Sequence, residues 1–198
     1  MRYFNMELNF EEIITKVSID LPHGVVNEVL LSEQIYRQKN WYSRLLHFDE
    51  IASGLCIDLF TQALNKLDIN NIEVFLFNKN KIDYIATTNV NNETIEDIFL
   101  LRHMETILMN DVDKVAEVIA SYIIITNRDF NFVIIIDEDR EFYYFYGDKS
   151  FINDIFPFTF DGYKSYYDKL YHFAKDNFEY LKADYLKWFW KTYLSIVA

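Results

Sequence analysis

The stretch from Tyr122 to Tyr146 constrains the fold more than any other part of the chain. Tyr122–Thr126, Phe130–Ile136 and Glu141–Tyr146 are rich in β-branched and aromatic residues, which suit a pleated, half-buried surface. Asn127-Arg128-Asp129 separates the first pair, and Asp137-Glu138-Asp139-Arg140 the second. Loops this short join antiparallel neighbours, so the three strands are expected to form a meander. Phe132–Ile136 is apolar at every position, and a strand apolar on both faces must be covered on both. Along the aromatic strand, Phe142, Tyr144 and Tyr146 share one face, and Tyr143 and Phe145 share the other.

Around this meander the chain reads as helices, then sheet, then helices. Asn9 and Glu12 have capping-box spacing, and Phe10, Ile13, Ile14 and Val17 follow as an apolar stripe. A helix is expected to Leu21, with a break at Pro22-His23-Gly24. A second is expected from Val25 to Lys39, continuing through Trp41 to Leu46. Asp49 resembles an N-cap, and Ile51, Leu55, Leu59, Ala63 and Leu67 recur at every fourth position behind it. Ile72–Phe77 and Ile82–Thr88 read as a strand pair joined by the turn from Asn78 to Lys81. Helices are expected to open at Asn91-Asn92-Glu93-Thr94 and near Asp111. After Gly147-Asp148 come a short helix from Lys149 to Ile155, stopped by Pro157, and a long aromatic-rich helical region from Asp161 to Ile196 with a bend at Asn177. The expectation is one α+β domain spanning residues 1–198: N-terminal helices, a central and mostly antiparallel sheet, and the C-terminal helical region.

Composition narrows the function. The chain is 51% hydrophobic and 18% aromatic over 198 residues, ample for a packed core. Four glycines and two prolines leave little room for phosphate-cradling loops, and neither GxGxxG nor GxxxxGK[ST] occurs. A net charge of -12 disfavours nucleic acid and anionic membranes and favours a basic partner or a cation. The charge is lopsided. Within residues 151–198, Asp154, Asp161, Asp168, Asp176, Glu179 and Asp184 balance Lys164, Lys169, Lys175, Lys182, Lys187 and Lys191, so the first 150 residues carry all of it. The single cysteine, Cys56, allows no intrachain disulfide and fits a reducing compartment. The aliphatic runs Ile123–Ile125 and Val133–Ile136 are far short of the roughly 18 residues that span a bilayer. Glu7, Glu11 and Glu12 fall where a signal peptide would be cationic and then apolar, so a cytoplasmic protein is expected.

The sharpest charge cluster is Asp137, Glu138, Asp139 and Glu141. At a hairpin tip these carboxylates are expected to face water and to meet a basic partner, with Tyr144 as an amphipathic anchor. The alternative is an enzyme or metal-binding protein with a site assembled from distant residues. Asp137 and Asp139 on one side of an extended chain, with His103, are its candidates. HExxH and CxxC are absent, and Cys56 on a helical stripe fits a small core residue better than a nucleophile. Trp188-Phe189-Trp190 cannot all face one core, since helical neighbours lie about 100° apart, which offers a ring to the surface or to a homodimer contact.

The segment Phe132 to Pro157 combines an apolar strand, an acidic turn, an aromatic strand, Gly-Asp and a short helix opening with Phe151-Ile152. In this it resembles small acidic bacterial immunity proteins of contact-dependent growth inhibition and polymorphic toxin systems. The resemblance implies a cytoplasmic, non-enzymatic protein without cofactor that neutralises a cognate toxin domain, often a basic nuclease, by stoichiometric binding. It carries over no family residues. A mobile-element accessory protein that binds a host factor is the third reading.

Overall fold

The computed structural model describes residues 14–48, 50, 55–78, 81–99, 122–137, 141–156 and 159–194. The chain is α+β. It opens with a hairpin of β1 (Ile14–Leu21) and β2 (Gly24–Leu31), followed by α1 (Glu33–Gln38) and β3 (Tyr42–His47). Then come α2 (Leu55–Lys66), β4 (Asn71–Asn78), β5 (Lys81–Asn89) and α3 (Asn92–Phe99). The meander is β6 (Tyr122–Thr126), β7 (Phe132–Asp137) and β8 (Phe142–Gly147). Three helices close the order: α4 (Lys149–Ile155), α5 (Phe160–Asp176) and α6 (Tyr180–Phe189), the last running into a π-helical turn at Trp190–Leu194. β3 to β8 form one six-stranded sheet in the order β3-β8-β7-β6-β4-β5, and every pairing is antiparallel.

The meander forms as the loop lengths require, and β7 is buried at all six positions. Alternation sorts its side chains into two cores. Phe132, Ile134 and Ile136, with Tyr143 and Phe145 of β8, face a layer that holds α2, α3 and α4. Val133 and Ile135, with Phe142, Tyr144 and Tyr146, face a layer made of the β1–β2 hairpin, α1, α5 and α6. The sheet is thus a filling between two unlike covers.

The N-terminal part departs from the helical reading. Residues 14–31 form two strands in register from Ile14 opposite Leu31 to Leu21 opposite Gly24, with Pro22-His23 as the two-residue turn. Ile14, Thr15, Val17 and Ile19 on one strand, and Val25, Val26 and Val29 on the other, are β-branched and stiff at χ1, which favours the pleat over the helix. Gly24 leaves the turn at φ +147°, a backbone angle that L side chains rarely adopt. The expected helix from Trp41 to Leu46 is also a strand, β3. The capping pair Asn9 and Glu12 lies outside the described residues, as do Asp49, His103 and the expected helix from Asp111.

Helix α2 forms as expected, but its buried stripe is Cys56, Ile57, Phe60, Ala63 and Leu64. Strict fourth-residue spacing advances 400° and drifts about 40° per step, so Leu67 at the far end has turned into solvent. Helix α3 starts where expected, with the Asn91 side chain accepting from the Thr94 amide at 2.8 Å. Helix α4 is capped by Asp148, whose carboxylate accepts from the Phe151 amide at 2.8 Å.

Sheet edge β3 is closed by tyrosines of α5. The Leu45 amide donates to the Tyr163 hydroxyl at 2.7 Å, and that hydroxyl donates to the Leu45 carbonyl at 2.9 Å. The His47 amide donates to the Tyr166 hydroxyl at 2.9 Å. These bonds fill the row of groups that an edge strand otherwise offers to another chain.

Candidate interaction surface

The five residues singled out by sequence separate in the structure. Asp137 ends β7 and is only 3% exposed, and Tyr144 in the middle of β8 is fully buried. Both project to the face beneath the hairpin, where Glu28 of β2 is buried with them. The Tyr185 hydroxyl of α6 donates to that of Tyr144 at 3.0 Å. Burial pushes the Tyr144 hydroxyl well above the ordinary tyrosine range, and the negative charges of Glu28 and Asp137 add to the push. Asp137 and Tyr144 therefore belong together, but as members of an interior polar island between hairpin and sheet. The expectation that Asp137 faces water at the hairpin tip and that Tyr144 is an exposed anchor is corrected: both are buried. The β-strand of Asp137 continues one residue past the apolar run, so its side chain keeps the inward alternation of Val133 and Ile135. Glu28 went unnoticed in the sequence because the segment holding it was assigned the wrong period.

Glu138 and Asp139 lie outside the described residues. Glu141 is at the surface, with its side chain 61% exposed and a left-handed backbone at φ +60°. Its carbonyl accepts from the Phe48 amide at 2.8 Å, and its carboxylate lies 3.3 Å from His47 Nε2. Of the expected contact residues, Glu141 alone is described and exposed.

Of the residues that the enzyme or metal-binding alternative names, Asp139 and His103 lie outside the described residues, and Asp137 is buried. No group of three His, Cys, Asp or Glu side chains that could hold a metal occurs among the described residues. Burial, helped by nearby Glu50, pushes the Cys56 thiol up to about 12, the reverse of what an activated nucleophile needs. Arg44 is buried too, its guanidinium 4.5 Å from the centre of the Tyr163 ring and donating to the Ser43 carbonyl at 2.8 Å.

The open features cluster on the C-terminal helices. Between α5, α6 and the adjoining ends of β3 and β8 lies a groove of about 290 Å³. Phe142, Leu170, Ala174 and Leu186 line it, with His47, Lys169 and Lys182 among its polar groups. Phe173 stands beside this groove, 65% exposed, and Phe178 and Tyr180 follow at the elbow between the helices, 77% and 41% exposed. His23 of the hairpin turn stacks on Tyr180 at 5.2 Å and places Nδ1 2.6 Å from the Asp184 carboxylate. The elbow is thereby fastened to the first hairpin.

The elbow is a Schellman end. The Glu179 amide donates to the Ala174 carbonyl at 2.8 Å and the Phe178 amide to that of Lys175 at 3.2 Å. Phe178 takes the left-handed position at φ +63°, where glycine is the usual occupant. The bend expected at Asn177 is thus present, one residue before the strained position. Phe189 is fully buried, and Trp188 and Trp190 on either side of it are half-buried, as the 100° spacing requires. Among the described residues no helix is long and apolar enough to cross a membrane.

Compared with known proteins, the chain matches no family model, no curated protein and no solved structure.

Proposed function

We propose that the chain is a non-enzymatic binding protein of the immunity kind, which neutralises a cognate, basic toxin domain by stoichiometric contact. The observation that carries this reading is Phe178. A bulky residue at positive φ costs on the order of 1 kcal/mol relative to glycine, and this ring is 77% exposed. The ring meets Tyr180 edge-on at 6.1 Å but is otherwise presented to solvent, and a strained backbone that exposes a large apolar side chain supports reading the elbow as a contact site. Phe173 and Tyr180 widen the aromatic patch. Exposed rings of this type anchor protein interfaces. The net charge of -12 would speed encounter with a basic domain, and Glu141 supplies a described carboxylate on the same side as the groove.

The test is co-expression with the products of the genes next to this one. The reading expects a one-to-one complex with a basic protein whose growth arrest this chain relieves. It also expects Phe173→Ala and Tyr180→Ala to weaken that complex by about ten-fold or more each while the variants stay folded. Relief of toxicity that survives both substitutions would remove the elbow from the account. A chain that relieves no neighbour's toxicity and forms no complex would overturn the immunity reading.

A further inference from the structure

We infer that the groove between α5, α6 and the ends of β3 and β8 is a binding site for a small amphipathic carboxylate, a single acid group on an acyl or aryl tail. This inference does not depend on the partner reading. The groove's volume of about 290 Å³ is near the lower end of the range for small-molecule sites. Its floor is apolar and deep: Phe142, Ala174 and Leu186 are core residues, so a tail entering between the helices meets side chains already fixed by packing.

The polar groups decide the class of ligand. The chain as a whole is strongly acidic, yet the groove is lined by Lys169 and Lys182 against a single acid, Glu50. Of the acids at and beside it, Glu141 lies 3.3 Å from His47 Nε2, and Glu50 sits at the β3 end of the groove, close to Cys56. Lys182 holds Glu179 at 3.6 Å and stands over the Phe142 ring at 5.3 Å, which keeps its ammonium above the apolar floor. Lys169, one turn before Phe173, makes no ion pair among the described residues. A carboxylate on an apolar tail would place its oxygens at these two ammonium groups and its tail on Phe142 and Leu186. The -12 background repels a polyanion more than a monoanion, which favours one acid group over a phosphate.

The experiment uses the full chain and three probes of equal tail length: octanoate, octylamine and octanol. Backbone amide shifts and titration calorimetry report the site and the affinity. The inference expects saturable one-to-one binding of octanoate, at least ten-fold tighter than either other probe, with shifts at His47, Phe142, Lys169 and Leu186. Lys169→Glu and Lys182→Glu should each weaken octanoate at least five-fold, and Lys169→Gln less. Lys169 is exposed and Lys182 half-buried, and the shifts of the free variants show whether each is folded. Lys187→Glu is the control: with Lys164, Tyr171 and Trp190 it lines a separate crevice of about 240 Å³, and it should leave binding unchanged. Octylamine binding as well as octanoate, equal loss with Lys187→Glu, or no saturable binding would each overturn the proposal.

Discussion

The two faces of the sheet are held by different chemistry. On the α2–α4 side the core is isoleucine and phenylalanine, with Phe60 packed edge-on against Phe99, Phe132 and Phe151 at 5.3, 5.6 and 6.1 Å. Within it the Tyr143 hydroxyl donates to the Phe99 carbonyl at 2.6 Å. On the hairpin and C-terminal side tyrosines do the joining. Tyr36 donates to the Tyr193 carbonyl at 2.6 Å, Tyr193 to Leu31 at 2.9 Å, Tyr167 to Leu186 at 2.8 Å and Tyr163 to Leu45 at 2.9 Å. A tyrosine ring buries as much apolar surface as phenylalanine and also satisfies a backbone group that a helix end, a π turn or a sheet edge leaves over. Irregular structure, the turn at Trp190–Leu194 and the edge β3, sits on the tyrosine side. The regular α2 and α4 sit on the oily side.

Alkaline pH should separate the two faces most strongly. Burial raises the hydroxyls of Tyr36, Tyr144, Tyr146, Tyr163, Tyr167, Tyr185 and Tyr193 above the ordinary value. A group whose folded pKa is raised contributes stability that is whole below the unfolded pKa and is lost as pH climbs toward the folded one. The unfolded value is near 10, so stability should hold to about pH 9 and then fall by up to about 1.4 kcal/mol per pH unit for each such tyrosine. Against a typical total of about 5–15 kcal/mol, unfolding within about one to two units above pH 10 follows. Tyrosinate absorbance should rise in step with loss of the fold. A smooth titration centred near pH 10 in a chain still folded would show that the tyrosine side is open to water.

Phe60→Ala attacks the oily side and should cost about 3–5 kcal/mol, read as a lower midpoint of denaturant unfolding. Its effect should be the same at pH 7 and pH 9, because no titrating group is touched. Tyr163→Phe attacks the other side with almost no change of volume. It strips a hydroxyl that serves both the amide and the carbonyl of Leu45, and should cost about 1–3 kcal/mol. It also opens edge β3, so concentration-dependent association of the variant is expected. An unaltered midpoint would mean that water replaces the hydroxyl and that the edge is not sealed by it.

The same contrast explains what could be read in advance. The meander was legible because β7 and β8 alternate cleanly and short loops leave one pairing. The hairpin β1–β2 was not. Ile13, Ile14 and Val17 fit a helical stripe as readily as a strand, and only the share of β-branched residues and the two-residue turn at Pro22-His23 argue otherwise. The polar island was hidden for a different reason. Glu28 and Asp137 are charged, and a charged residue reads as surface unless its distant neighbours are known; theirs come from β8 and α6, more than a hundred residues from Glu28. Of the candidate surface, Asn177 was visible as a bend and Glu141 as an exposed acid, but nothing local marks Phe178 as left-handed.

Phe178 also supplies the smallest and most specific test, because the fold contains two controls for it. Helix α1 ends with Asn40 at φ +52° and α2 with Asp68 at φ +55°. In both, the same pair of reversed hydrogen bonds closes the end: Trp41 to Tyr36 at 3.1 Å with Asn40 to Arg37 at 3.1 Å, and Ile69 to Leu64 at 2.9 Å with Asp68 to Asn65 at 3.1 Å. Asn and Asp tolerate the left-handed region; phenylalanine does so poorly. Glycine at Asn40 or Asp68 should therefore change stability little, within about 0.5 kcal/mol, since the strain relieved is small and the unfolded chain gains freedom. Glycine at Phe178 should relieve more strain and stabilise the fold by up to about 1 kcal/mol, read as a midpoint raised by a few degrees. If the elbow is a contact site, the same substitution should weaken the proposed partner complex by about ten-fold or more, so that stability and binding move in opposite directions. A Phe178→Gly chain that is less stable would show instead that the ring is held by its contact with Tyr180, 6.1 Å away, and that its exposure serves the elbow and not a partner.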